Sequence, residues 1–384
     1  ASSPPPPADP HAGAPSISHA QLVSVLEAAL DANPARRQPA EQLLQGWEPL
    51  PSYPSSLHAV ATEPTVGTNQ RWLAAVCLKN CVTRWWRPRP TGGVTEEEKA
   101  ALRAALLRST GEEALLPIAK QAALAVAKIS RIDWPHKWPE LLPTLLAQIQ
   151  QGASDLTRTR SLLLLHTVVK ELSARVVGPV RRHLQEASPQ VFSFLLSLWQ
   201  SAHPLSLENP IAAETELITL KIMRRLLVYG FSRIDLSSDA TAFLEQGLGV
   251  LQARTALLVT SPDPNSPHHF ACKSALKIAQ CVNDCQHSSP LSFSPFLGPF
   301  LSFALNRLQA WPELNAGGGR GGIAGVDFIE KLTIRCILFV TNVLACTQYH
   351  ARWSASKKGA AAESSGAADA PPPPPPRRGT PQTR

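Results

Sequence analysis

Three cysteines and three histidines crowd one stretch, Cys272, Cys281 and Cys285 with His268, His269 and His287. These residue types ligate zinc, but their spacing matches no zinc framework. Cys281 and Cys285 stand four residues apart, which places them side by side on one helix face. None of the seven cysteines forms a Cys-x-x-Cys pair, as expected of reduced thiols in a cytosolic or nuclear setting. Gly317 to Gly322 reads GGGRGG, a trivial match to G-x-G-x-x-G. No strand pattern precedes it, so no phosphate cradle is expected. A Walker A loop, a G-x-S-x-G elbow and an H-E-x-x-H helix are all missing from the sequence. The chain carries no enzymatic constellation, and neither a metal nor a cofactor is expected.

The remaining candidates bind rather than react. On the helix that opens at Asn69, residues Lys79, Asn80, Thr83, Arg84 and Arg87 share one arc of about 140° at ~100° per residue. Leu78, Cys81, Val82, Trp85 and Trp86 fill the other side. A later helix sets Lys120, Gln121, Lys128 and Arg131 opposite Ala119, Ala122, Ala123, Val126 and Ile129, and Arg160, Thr167 and Lys170 follow on the next. Such arcs are commonly the solvated faces of core helices. Where helices stack side by side, they join into one polar wall. Trp47, Trp72, Trp85, Trp86, Trp134 and Trp138 invite a reading as stacking platforms. At a joint between helices, a Trp is more often core with its N–H satisfied by a nearby acceptor.

The elements that must carry these residues are helical. In Ile118 to Leu146 an Ala-rich amphipathic helix has to stop near Asp133, because Pro135 disfavours a helical Trp134. Pro139 suits the first turn of the next helix, whose face is Leu141, Leu142, Leu145 and Leu146. Two helices with one tight, Trp-anchored joint make a hairpin that cannot bury both its faces, so neighbours must supply the rest of the core. Ser18 with Gln21 reads as a capping box. Asn33-Pro34, Ser188-Pro189, Asn209-Pro210, Ser266-Pro267 and Ser294-Pro295 read as helix openings, an N-cap followed by Pro. The periodicity predicts seven hairpins: 18–31 with 34–48, 53–61 with 69–87, 96–109 with 113–133, 139–151 with 156–176, 189–201 with 210–230, 240–259 with 267–286, and 295–309 with 325–347. No strand alternation is apparent. The fold class is therefore all-α, a right-handed superhelical HEAT/armadillo-like solenoid of helical hairpins over residues 17–350.

Composition agrees. The chain has 384 residues, 44% of them hydrophobic, and a formal net charge of +8, which is compatible with nucleic acid without arguing for it. Many of the 36 prolines stand in the Pro-rich start, 1–16, and in the Ala/Ser/Pro/Arg tail, 351–384, both expected to be disordered. No apolar run approaches the roughly 20 residues needed to span a bilayer, and no secretory leader is evident.

Three stretches then carry a resemblance: AEQLLQGWE from Ala40, NQRWLAAVCLKNCVTRWWRP from Asn69 and TEEEKAALRAALL from Thr95. In this order they resemble the N-terminal domain of importin-beta-type nuclear transport receptors. ITLKIMRRLLVYGF from Ile218 and FSPFLGPFLSFALN from Phe293 are similar to the importin eleven type in particular. The resemblance implies a Ran-binding domain at about 40–108 within a longer solenoid of some twenty repeats, of which this chain would be the N-terminal part. It also implies partners: Ran in its GTP form on the inner helices, Phe-Gly repeat proteins of the nuclear pore on the outer ones, and protein cargo held largely by repeats beyond the seven. Carried onto this sequence, the Ran site would comprise Lys79, Asn80, Thr83, Arg84, Lys120, Lys128 and Arg131. The function implied is protein import into the nucleus by a receptor shuttling between cytoplasm and nucleus at the nuclear envelope, with no membrane or nucleic-acid partner. A HEAT scaffold such as a phosphatase regulatory subunit, or an export receptor for RNA or protein, stands as the alternative. The basic balance departs from the usual acidity of such receptors.

Overall fold

The computed structural model describes residues 17–89, 92–174, 178–257, 267–316 and 323–350. The two expected tails and the Gly317–Gly322 loop lie outside the described residues. Among the described residues there are fifteen α-helices and no strand. Fourteen of them pair as α1 (His19–Ala29) with α2 (Pro34–Trp47), α3 (Tyr53–Thr62) with α4 (Thr68–Trp85), α5 (Glu96–Glu112) with α6 (Leu116–Asp133), and α7 (Leu141–Gln151) with α8 (Asp155–Ser173). Then come α9 (Pro179–Ala202) with α10 (Pro210–Tyr229), α11 (Ser238–Leu257) with α12 (Pro267–Ser288), and α14 (Leu297–Ala316) with α15 (Ile323–Ala345). A four-residue helix, α13 (Pro290–Phe293), and a 3-10 turn at Ser294–Phe296 lead into α14.

The hairpins stack into a HEAT-type solenoid. The second helices α4, α6, α8, α10, α12 and α15 each pack along the next as one unbroken layer, whereas the first helices touch one another at few points. The stack is therefore shorter on the side of the second helices and curves toward it, which makes them the inner layer. Small residues permit this: Ala119, Ala123 and Ala127 of α6 are buried, so α4 and α8 can approach its backbone. One continuous core runs from Leu22 to Phe339.

Local chemistry sets the helix ends. Asn33 accepts from the Ala35 N–H at 3.0 Å, Asn209 from Ile211 at 2.9 Å, and Ser18 from Gln21 at 3.2 Å, each relieving an orphan donor. The start of α3 has no such cap of its own. Glu98 of α5 serves instead, accepting from the Ser52 N–H at 3.1 Å and from Ser55 Oγ at 2.6 Å. At Ser188-Pro189 the expected opening is wrong: α9 begins ten residues earlier at Pro179 and runs through Pro189. Ser188 is fully buried and its Oγ donates to the Leu184 carbonyl at 2.5 Å, so it supports a continuing helix rather than starting one. Ser294-Pro295 likewise opens a 3-10 turn and not α14 itself.

Candidate functional site

The inner layer brings the predicted residues onto successive helices, but the structure gives them two kinds of role. On α4, Arg84 forks onto Glu48, with its Nη1 2.9 Å from both carboxylate oxygens. Trp85 Nε1 donates to the same carboxylate at 3.2 Å, so Glu48 pins the end of α2 to the end of α4. Thr83 turns its hydroxyl back to the Lys79 carbonyl at 2.8 Å. On α6, Lys128 and Arg131 both reach Glu171 of α8 at 3.0 Å. Those hydrogen bonds lower the Glu171 pKa against the opposing effect of burial, which is the larger single influence. Arg160, expected on the wall, is buried: its Nε and Nη2 donate to the Glu113 and Ala114 carbonyls at 2.9 Å. It closes the turn between α5 and α6.

Lys79, Asn80 and Lys120 remain available. Lys79 and Asn80 are partly exposed and Lys120 is exposed, and neither lysine has an ion-pair partner among the described residues. The wall is thus a set of open positions on α4 and α6, framed by the Glu48 and Glu171 clasps. Trp86 and Trp138 are core, each 1% exposed, while Trp72 is 38% exposed on α4. The Trp86 indole donates to Asp133 Oδ2 at 2.9 Å, and Arg103 of α5 reaches the same oxygen at 2.8 Å. Sequence reasoning did not find this Asp133 hub, which fixes α4, α5 and α6 to one another.

The cysteine stretch has a different character. Cys281 and Cys285 are fully buried on α12, and burial drives the Cys281 thiol up to about 12 and Cys285 well above its ordinary value. No group of three or more His, Cys, Asp or Glu among the described residues could hold a metal ion; the side chain of His268 lies outside that set. No helix of the described residues is long and apolar enough to cross a membrane.

Further along the inner layer, His166 of α8 is held down to about 4, first by burial and then by Lys221, Lys170, Arg225 and Lys277. A histidine whose folded pKa is depressed binds its proton more readily when unfolded, so stability falls as pH drops from about 6.5 toward 4. Replacing His166 with Gln should therefore reduce the acid sensitivity, by about 2 kcal/mol at pH 4.5. Urea denaturation of both proteins at pH 7 and pH 4.5 checks this. Identical losses in the two would mean that His166 is not the group responsible.

Comparison with known proteins gives a consistent picture. Residues 40–112 match the family described as Importin-beta N-terminal domain. Over 337 residues the chain is 29% identical to Importin-11 of Mus musculus, covering 84% of this chain and 33% of that protein. It is 30% identical over 226 residues to importin beta-like protein kap113 of Schizosaccharomyces pombe, 55% of this chain and 23% of that one. The chain spans about a third of the length of the Importin-11 proteins it matches. Among solved structures it is similar to Lph2, described as a bidirectional nuclear transport receptor in S. cerevisiae, with a TM-score of 0.70, 21% identity and coverage of 83% of this chain and 31% of that one. The exportin Cse1 in its cargo-free, cytoplasmic state gives a TM-score of 0.65 at 16% identity, over 87% and 35%. These two likenesses show the solenoid fold.

Proposed function

From the match of residues 40–112 to the Importin-beta N-terminal domain and the likeness to the Importin-11 proteins, we propose that the chain is a nuclear transport receptor of the importin-beta family that binds the small GTPase Ran in its GTP form and moves protein cargo through nuclear pores, shuttling between cytoplasm and nucleus. The observation that carries the reading is the coincidence of the matched segment with the open wall positions. Residues 40–112 contain α4 and α5 and with them the open positions Lys79 and Asn80, while Lys120 stands on α6, the next helix of the inner layer. Import is the direction suggested by the Importin-11 relatives, although Exportin-2 proteins are also similar over about a third of the chain. The transport relatives displace the reading as an unrelated scaffold.

The solenoid over 17–350 would hold RanGTP within about 40–108 and the helix that follows. A GTPase changes shape mainly in its switch loops, which GTP orders. A wall matched to the ordered loops would bind one nucleotide state, and cargo favouring the other receptor state would be released on RanGTP binding. On the outer side, a groove of about 500 Å³ between α11 and α14 is lined by Leu244, Leu248, Pro295, Phe296, Pro299 and Phe300, with Asp235, Thr241 and Glu245 beside them. Its Leu, Pro and Phe side chains would suit the Phe rings of pore repeats at the nuclear envelope.

The clean test reverses Lys79 and Lys120, because neither takes part in the Glu48 or Glu171 clasps. The Lys79→Glu, Lys120→Glu variant should keep its helix content and bind RanGTP about tenfold more weakly. RanGDP should bind poorly to both proteins. Calorimetry with each nucleotide form reads the result. Equal binding of RanGTP and RanGDP, or no loss in the folded variant, would remove the wall as the site.

A further inference from the structure

The inner layer changes character beyond α6. Lys120 of α6, Lys170 of α8, Lys221 and Arg225 of α10, and Lys273 and Lys277 of α12 converge on one face. None of these six has a carboxylate within ion-pair distance among the described residues. Their mutual nearness shows in how they act on one another. Lys273 and Lys120 both depress Lys221 behind the effect of burial, while Arg224, Lys221 and Arg335 depress Lys277 in the same way. The acidic residues nearby do not balance them. Asp284 is already bound by Arg224, Glu171 is taken by Lys128 and Arg131, and only Glu214 draws on Lys221. Folding has therefore gathered like charges onto a concave surface and left them without counterions, which is unfavourable unless an anionic partner arrives.

What lies between the cations says which partner. Leu124 is 37% exposed beside Lys120, and Leu163, Leu217 and Leu276 are partly exposed on α8, α10 and α12. Aromatic rings are few here: Phe270 and Tyr229 are partly exposed, with Lys273 5.3 Å from the first ring and Arg225 6.0 Å from the second, and Trp72, back on α4, is the one exposed Trp or Phe among the described residues. Single-stranded nucleic acid is held by stacking successive bases on open aromatic rings along a basic groove; the two rings here each carry a cation against them, whereas leucines stand on all four helices. Leucines alternating with lysines match a protein segment that alternates carboxylates with aliphatic side chains.

We propose that the concave face of α6, α8, α10 and α12, with its converging lysines and interleaved leucines, is a docking surface for an acidic, leucine-bearing segment of a partner protein. This deepens the transport reading by naming the chemistry of the protein carried. Its test uses the purified chain without Ran, so its failure leaves the nucleotide-dependent experiment standing.

The probe is a fluorescein-labelled peptide of repeated Glu-Glu-Leu-Leu, followed by fluorescence anisotropy at low and at moderate salt. Two comparison probes are the same peptide with Gln in place of Glu and a labelled oligouridylate. The peptide is expected to bind in a salt-sensitive manner and the Gln version to bind weakly. The Lys221→Met, Lys273→Met variant, which keeps the aliphatic stems and hence the packing, should bind the acidic peptide at least about tenfold more weakly. A Lys170→Glu variant on an exposed position should do the same with less risk to folding. Tighter binding of the oligouridylate than of the peptide would overturn the proposal in favour of nucleic acid. Equal affinity for the Glu and Gln peptides, or no loss in both folded variants, would overturn it outright.

Discussion

Replacing Glu216 with Gln should cost about 3–5 kcal/mol, the usual cost of leaving a buried charge without its partner. Glu216 of α10 is 0% exposed and Arg254 of α11 is 4% exposed, with Arg254 Nη1 2.8 Å from Oε1. The donated hydrogen bond goes to Oε2 at 2.9 Å. The other guanidinium nitrogen donates to the His203 carbonyl at 3.0 Å and to Ser206 Oγ at 2.8 Å. One guanidinium thus ties α11 to α10 and to the turn that follows α9. Gln matches Glu in size, so the loss reports charge and not a cavity. The Glu216→Leu, Arg254→Met double variant should recover part of the loss, because two apolar groups demand no compensation. Recovery will be incomplete, since Ser206, fully buried, and the His203 carbonyl then lose their donor. Urea denaturation of the four proteins of the cycle measures the coupling. A loss below about 1 kcal/mol for Glu216→Gln would mean that water reaches the pair and screens it.

The hairpins were legible because each is specified locally. Leu22 and Leu26 on α1, and Leu141 and Leu145 on α7, each stand four apart and are buried, and Asn33 and Asn209 cap where an Asn before a Pro should. Legibility failed where an earlier helix start overrides a local signal, or where a distant residue supplies the partner. Ser188-Pro189 has the composition of an opening, yet α9 passes through it because Gly178-Pro179 had already started the helix and Ser188 satisfies a carbonyl of the preceding turn. Helical spacing also gives the direction of a side chain without naming what faces it. Arg84 meets Glu48 from 36 residues away and Lys128 meets Glu171 from 43 away, so two parts of the expected wall became clasps. The basic face that continues from Lys170 of α8 onto α10 and α12 was missed for the opposite reason. Each helix contributes only one or two cations to it, and they accumulate only when the helices stack. The signal present in the sequence was modest: Lys221 with Arg225 and Lys273 with Lys277, each pair four apart.

Asp133 gives the second large effect, and it connects stability to the wall. It is the last residue of α6, where a carboxylate sits unfavourably against the helix dipole. It is retained because one of its oxygens receives both Trp86 from α4 and Arg103 from α5. Replacing it with Ala leaves a buried indole N–H and a guanidinium only 13% exposed without an acceptor, at an expected cost of about 3–5 kcal/mol. With Asn, the carbonyl oxygen can still accept from one donor, and the cost should fall to about 1–3 kcal/mol. Neither change touches Lys79 or Lys120, but both loosen the joint that sets α4 against α6. RanGTP binding should therefore weaken in the order wild type, Asn, Ala, although no wall cation has been altered. Hydrogen exchange should show faster opening of α4 and α6, with α10 and α12 unchanged, as expected for a stack whose repeats contact only their neighbours. Undiminished RanGTP binding in an Ala variant with loosened α4 and α6 would show that the register of these helices does not set the site.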